Sequence, residues 1–211
     1  MSADRDGADA VKPKGKYHHG DLKEALIQAA YALVSQRGAE NFSLADACRL
    51  AGVSTAAPYK HFRDRDEILE AVVTRGFDVL SDRSMAAVRT AGEGTLAGIV
   101  AMGEAYVRFA VDEQGLFRLM FGQHPVLKQS ACVVSDGKRC FTQVIEQVAL
   151  YCARNGVAGD ADLIAIRLWT FVHGASALII DGDYAVVAPD LDVGAMIRDA
   201  TPLLLMPTAR G

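Results

Sequence analysis

NFSLADACRLAGVSTAAPYKHFRDRDEIL, residues Asn41 to Leu69, is the stretch whose reading decides the fold. Ser43 has a side chain suited to a helix N-cap. Leu44, Ala47, Cys48 and Ala51 follow at spacings of three and four, which places them on one apolar stripe. Gly52-Val53-Ser54 supplies a tight turn, with Val53 directed inward and Ser54 or Thr55 capping a third helix. Proline inside a helix costs about 3 kcal/mol. Behind a Thr55 cap, however, Pro58 stands at the third helical position, where its missing amide has no intrahelical partner to lose. Tyr59, Lys60 and His61 then lie on a short helix, and Arg63 and Arg65 follow at once. A compact helix pair that ends in a polar, basic and aromatic element is how a protein inserts side chains into the major groove. The stretch therefore reads as a DNA-binding helix-turn-helix.

The flanking segments extend the helical pattern. Asp21, with Glu24 three residues on, has the spacing of a capping box, and Leu22, Ala25, Leu26, Ala29, Leu33 and Val34 form one stripe up to Gly38. Asp64 and Glu67 repeat the cap at the head of a fourth helix that runs from Arg65 to about Thr90 through Ile68, Leu69, Val72, Val73, Phe77 and Leu80. Further helices are expected over 96–111, 114–121, one long one over 126–155, 160–180 and 190–205, with a turn at Asp181-Gly182-Asp183. No run alternates as a strand does. The expected fold class is all-α, with an N-terminal three-helix helix-turn-helix domain joined to a larger helical ligand-binding and dimerisation domain. The expected boundaries are a flexible basic arm over 1–16, the DNA-binding domain over 17–66 and the C-terminal domain over 67–211.

Composition bounds the function. The net charge of −4 is unevenly distributed: residues 12–65 hold nine Lys and Arg against five acids, a local +4 that leaves −8 elsewhere. Attraction for phosphate is concentrated in the first third of the chain. Lys12, Lys14 and Lys16 put part of it on the arm, from which a backbone or minor groove can be reached. The four cysteines make no C-x-x-C pair, and Cys132, Cys140 and Cys152 on one helix stand too far apart to bridge one another. They read as ordinary buried thiols. His18-His19 and Asp181-Gly182-Asp183 do not converge on a metal, so no metal and no cofactor is expected. G-x-S-x-G, H-E-x-x-H, P-loop and G-x-G-x-x-G motifs are all missing from the sequence, which argues against an enzyme and leaves no catalytic residue to name. The longest uncharged run in the most apolar region spans 13 residues, short of the roughly 18 that cross a bilayer, and the N-terminus lacks a signal peptide's apolar core. A cytoplasmic protein with no membrane partner is expected. Leu163 to Ile180 is apolar around most of its circumference and so needs cover on all sides. That points to a homodimer through the two C-terminal helices.

Phe42, Ser43, Ala47, Ala51-Gly52-Val53-Ser54, Tyr59, His61-Phe62, Asp66-Glu67 and Leu69 resemble the tetracycline-repressor-like (TetR) family of bacterial transcriptional regulators over about residues 17–70. Tyr17-His18-His19-Gly20-Asp21-Leu22 is similar to the lead-in of a subset of that family, and Leu168-Trp169-Thr170-Phe171-Val172-His173-Gly174 resembles its Trp-His-Gly type of C-terminal domain. The resemblance implies a two-fold dimer on a near-palindromic, double-stranded DNA operator and a cavity for a small-molecule inducer. It places Thr55, Ala56, Tyr59 and Lys60 against bases and backbone, with His61 and Arg65 on phosphate. Ser43, Ser54 and Lys16 complete the expected DNA-contacting set. Pro58 and Arg65 depart from the aliphatic residue and the lysine usual there. The expected ligand-binding residues are Tyr106, Phe109, Met120, Phe121, Trp169 and His173. Tyr106, Trp169 and His173 each join a flat apolar body to a polar tip, and His173 beside Gly174 also suits the dimer seam. The function expected is that of a repressor released from its operator by ligand. The alternatives are an activator or ligand-independent regulator of the same fold and, more remotely, a helical enzyme.

Overall fold

The computed structural model describes residues 19–207, with side chains from Leu22 onward. The expected arm over 1–16, including Lys16, lies outside the described residues. All regular elements among the described residues are helical: α1 (His19–Arg37), α2 (Leu44–Ala51), a 3-10 turn (Pro58–Lys60), α3 (Arg65–Ala91), α4 (Leu96–Asp112), α5 (Gln114–Phe121), α6 (Pro125–Gln129), α7 (Ala131–Asn155), α8 (Ala161–Ile180), α9 (Asp183–Val187) and α10 (Val193–Leu204).

The strongest boundaries are set by side-chain caps. Ser43 Oγ accepts from the Asp46 amide at 3.1 Å, and Asp64 accepts from the Glu67 amide at 2.9 Å. Glu67 in turn reaches one residue past the cap and accepts from the Arg63 amide at 2.6 Å, in place of the Asp64 amide that a capping box would engage. Gly52 ends α2 at φ 69°, a left-handed conformation that costs glycine nothing, and the Val53 amide folds back to the Cys48 carbonyl at 2.9 Å.

Four boundaries differ from expectation. The first helix begins at His19, which puts Asp21 inside it and not at its cap. No regular third helix starts at Thr55. Ala57 donates to the Ser54 carbonyl in a tight turn, and Pro58, with no amide to give, opens a 3-10 turn of three residues. The single long helix expected over 126–155 is split, because Ser130 turns extended (φ −65°, ψ 123°) and its Oγ caps α7 by accepting from Val133 at 3.3 Å. A short helix, α9, replaces part of the expected turn after Ile180.

Packing joins the two halves. One continuous core runs from Leu26, Val34, Cys48 and Phe62 through Ile68, Leu69, Val72 and Val73 to Tyr106, Phe109, Val172 and Ile197. Fully burying one such aliphatic or aromatic side chain contributes about 1.5–3 kcal/mol. The expected boundary at residue 66 falls in the first turn of α3, and that helix belongs to both halves. A second core gathers Ile99, Val148, Cys152, Ile164, Leu168 and Leu205 between α4, α7, α8 and the end of α10. A further joint is made by backbone alone: a Cβ on Gly115 would stand 2.1 Å from the Val34 carbonyl oxygen, so the head of α5 rests directly on the end of α1.

α8 is long and apolar enough, by length and composition, to cross a membrane. Its inner face, with Ile164, Ala165, Leu168, Val172, Ala175 and Ser176, is buried in this helical domain. Its outer face leaves Leu163, Ile166 and Leu178 exposed, beside exposed Leu203 and Met206 at the chain's end.

Candidate nucleic-acid interface and ligand cavity

The segment between α2 and α3 turns its polar groups outward. Ser54, Thr55, Ala56, Tyr59 and Lys60 are all exposed, and the Tyr59 ring is 67% accessible. They stand on a scaffold of Pro58 and Phe62, both buried, with Phe62 at 4% exposure. Arg63 projects beside them and, among the described residues, its side chain pairs with Glu67 at 3.2 Å. Sequence reasoning passed over Arg63 as a contact, although its place one residue after Phe62 puts it on this surface.

Three other expected contacts are held differently. The Ser43 hydroxyl is engaged by its own helix, accepting from the Asp46 amide and donating to the Asp46 carboxylate at 2.8 Å. Arg65 donates to the Ala39 carbonyl and lays its guanidinium over the Phe42 ring, 5.7 Å from the centroid. It ties the head of α3 to the α1–α2 loop. His61 is half-buried, and its Nε2 is enclosed with no hydrogen-bond partner among the described residues.

In the C-terminal half, α3, α4, α7, α8 and α10 line a partly open cavity of about 310 Å³. Tyr106, Phe121 and Trp169 line it as expected. Phe109 and Met120 do not. Phe109 is fully buried in the core beneath Arg83, whose guanidinium is 5.6 Å from its ring centroid, and Met120 packs toward Gly76. His173 stands behind the wall. Its Nδ1 is 2.8 Å from the Tyr106 hydroxyl, which also accepts from Trp169 Nε1 at 3.2 Å. The three polar tips satisfy one another in a chain. His173 also packs on Phe117 and Phe121, with ring centroids 5.4 and 5.0 Å away. Burial, aided by the charge of Lys128, holds the imidazole below its ordinary pKa. Burial likewise pushes the Tyr106 phenol well above its ordinary range, so two neutral groups share this hydrogen bond.

Several lining residues carried no signal in the sequence. Phe77, Ser84, Phe141, Gln143 and Phe171 meet there from three helices, and nothing short of the fold brings them together. Burial pushes the thiol of Cys140, also on the wall, up to about 11 and keeps it protonated. No group of three or more His, Cys, Asp or Glu among the described residues could hold a metal ion.

A helix pair that presents an exposed polar turn, joined through one long helix to a partly open apolar cavity, defines the class of helical DNA-binding transcriptional regulators. Residues 26–72 match the family described as bacterial regulatory proteins, tetR family, and residues 99–199 match the tetracyclin repressor-like C-terminal domain. The chain belongs to the TetR family. A solved structure of a protein of unknown function from Rhodococcus sp. RHA1 is 31% identical, with 91% of this chain and 97% of that one covered at a TM-score of 0.78. The TetR family transcriptional regulator PfmR from Thermus thermophilus shares the fold at a TM-score of 0.57 and 19% identity, over 88% of this chain and 96% of that one. The nucleoid occlusion factor SlmA of Haemophilus influenzae is 26% identical over 180 residues, covering 80% of this chain and 82% of that protein.

Proposed function

We propose that the protein is a dimeric repressor that leaves a palindromic operator when a small molecule fills the C-terminal cavity. The observation that carries this reading is α3. Its head adjoins the exposed turn, and farther along it gives Phe77, Leu80 and Ser84 to the cavity wall. α5 makes a second connection, with Phe121 on the wall at one end and Gly115 against α1 at the other. A ligand that prefers a cavity shape reached by moving either helix shifts the DNA-binding half with it. A tenfold loss of operator affinity needs a preference of only about 1.4 kcal/mol.

The exposed apolar faces of α8 and the chain's end support the dimer, since a second copy would cover Ile166 (45% exposed) and Leu203 (64%). Thr55, Ala56, Tyr59 and Lys60, with Ser54 and Arg63, then read the groove, and the protein acts in the cytoplasm.

The test is selection of bound duplexes from a random DNA pool at one fixed salt concentration, with wild type and Tyr59→Ala/Lys60→Ala. A palindrome with half-sites about 10 bp apart, lost in the double variant, is expected. A wild type that enriches nothing at any salt tried sinks the operator reading. Light scattering on Ile166→Glu/Leu203→Glu should show the mass fall from a dimer to a single chain of 22.5 kDa. A wild type that is already a monomer would remove the dimer from the proposal.

A further inference from the structure

We propose that the cavity takes a small, neutral, ring-bearing apolar molecule with a single hydrogen-bonding group, anchored at that group by Ser84 and Gln143. This rests on the cavity being the ligand site, and it adds the chemistry of what enters.

Charge is the first argument. Lys138 is the one charged residue on the lining, and it is exposed, so its ammonium stays in water at the rim. The wall holds no buried counter-ion. Bringing an unpaired carboxylate or ammonium inside would cost several kcal/mol.

Shape is the second. Six aromatic side chains face the space: Phe77, Tyr106, Phe121, Phe141, Trp169 and Phe171. Phe77 meets Phe121 edge-on at 5.9 Å and Phe141 meets Trp169 at 5.6 Å, which leaves ring faces and edges to receive another ring in the offset or edge-on arrangements that aromatic pairs prefer. A volume of about 310 Å³ is at the small end of ligand sites, which run from about 300 to 1,000 Å³.

The third argument is which polar groups remain free. Tyr106 and Trp169 are engaged with each other and with His173, and the Thr201 hydroxyl donates to the Ile197 carbonyl at 2.7 Å. Ser84, only 7% exposed, forms no hydrogen bond among the described residues. Its oxygen is not sealed off by the chain, so it stands open to the cavity and to an occupant that bonds it. Gln143 holds Ser81 with one end of its amide at 2.8 Å and has the other end free for the cavity. Ser81 and Ser84 lie one turn apart on α3, which puts Ser84 and the amide that holds Ser81 on the same side of that helix. The Cys140 thiol, kept protonated by burial, does not offer a nucleophile, and the binding is non-covalent.

Equilibrium dialysis of the full chain against 2-naphthalenemethanol, 2-methylnaphthalene and 2-naphthoate tests this. The alcohol should bind about 3–10-fold tighter than the hydrocarbon and roughly 100-fold or more tighter than the carboxylate. Ser84→Ala/Gln143→Leu should bring the alcohol down to the hydrocarbon's affinity and leave the hydrocarbon within about twofold. Ser84→Ala alone, which adds no bulk, should move the alcohol in the same direction. Val144→Trp, which fills the cavity, should abolish binding of all three probes. Equal affinity of wild type for alcohol and hydrocarbon would overturn the anchor. Strongest binding by naphthoate, lost in Lys138→Gln, would overturn the neutral class while the cavity remained the ligand site. Binding of no probe, or binding indifferent to Val144→Trp, would overturn the cavity reading itself and this proposal with it.

Discussion

The turn between α2 and α3 and the cavity between α3, α4, α7 and α8 both gather aromatic and polar side chains, and they dispose of the polar groups in opposite ways. At the turn, Thr55, Tyr59 and Lys60 stand in solvent with no hydrogen-bond partner for their side chains among the described residues, held from below by Pro58 and Phe62. In the cavity, Tyr106, Trp169 and His173 turn their polar tips on one another, and only Ser84 and one end of Gln143 are left over. A surface that meets a highly charged, hydrated partner can leave many donors open, because water satisfies them until DNA replaces it. An apolar recess leaves water less room, and a polar group sealed off there without a partner would cost about 1–3 kcal/mol. The polar side chains of the turn are therefore left open, while those of the cavity are largely paired with one another.

The largest test of this contrast is Phe62→Ala. Removing a ring at 4% exposure should cost about 3–5 kcal/mol in urea unfolding. Because the core is continuous, loss should come in a single transition followed equally by far-UV signal and Trp169 emission. Two separated transitions would show that the turn and the cavity fold independently. Next comes a pair of basic residues with different fates. Arg65→Ala should lower stability by about 1.5–3 kcal/mol, since a charged donor to the Ala39 carbonyl is lost. Tyr59→Ala/Lys60→Ala should lower operator affinity about 10–100-fold and leave stability within about 0.5 kcal/mol. If Arg65→Ala weakened DNA binding at unchanged stability, Arg65 would belong to the open surface after all.

Within the cavity, Tyr106→Phe should cost about 1 kcal/mol, because Trp169 Nε1 loses its acceptor and His173 Nδ1 its partner. A neutral result would mean that the chain of three is not a unit. The smallest effect is a pH dependence. His173 is held below the ordinary value of about 6.5 in the folded protein, so the unfolded chain binds the proton more readily. The stability it contributes is complete above about pH 6.5 and is lost as pH falls through the lowered folded value. His173→Gln should flatten thermal stability below about pH 6.5, and a wild type and variant with parallel profiles would remove His173 as the source.

The two regions also differ in how much of them the sequence discloses. The helix pair was legible because its determinants are local: the Ser43 cap, the Gly52 stop, and the Asp64–Glu67 cap fall within 25 residues, and each acts on its own neighbours. Pro58 was the exception even there. A sequence shows that its amide is absent but not that the backbone would answer with a 3-10 turn in place of a helix starting at Thr55. The split at Ser130 was hidden because apolar periodicity continues on both sides, while the cap that divides α6 from α7 is a choice of backbone angles at one residue. α9, at five residues, is shorter than any period that could announce it. The cavity was the least legible. Phe77, Gln143 and Phe171 come from helices far apart in sequence, and their meeting is a product of packing. Phe109 and Met120 are indistinguishable from lining residues until the fold shows which side each faces.

α3 has a mechanical consequence. Between Ser84 on the cavity wall and Arg65 at the turn lie 19 residues of unbroken helix, about 28 Å at ~1.5 Å per residue. A rotation of about 5° about the Ser84 end sweeps the Arg65 end through roughly 2.5 Å, nearly the whole length of a hydrogen bond. The helix works as a beam with a gain. A displacement of a few tenths of an ångström where a ring would press on its inner third would reach the turn magnified to the scale that separates a made from an unmade contact.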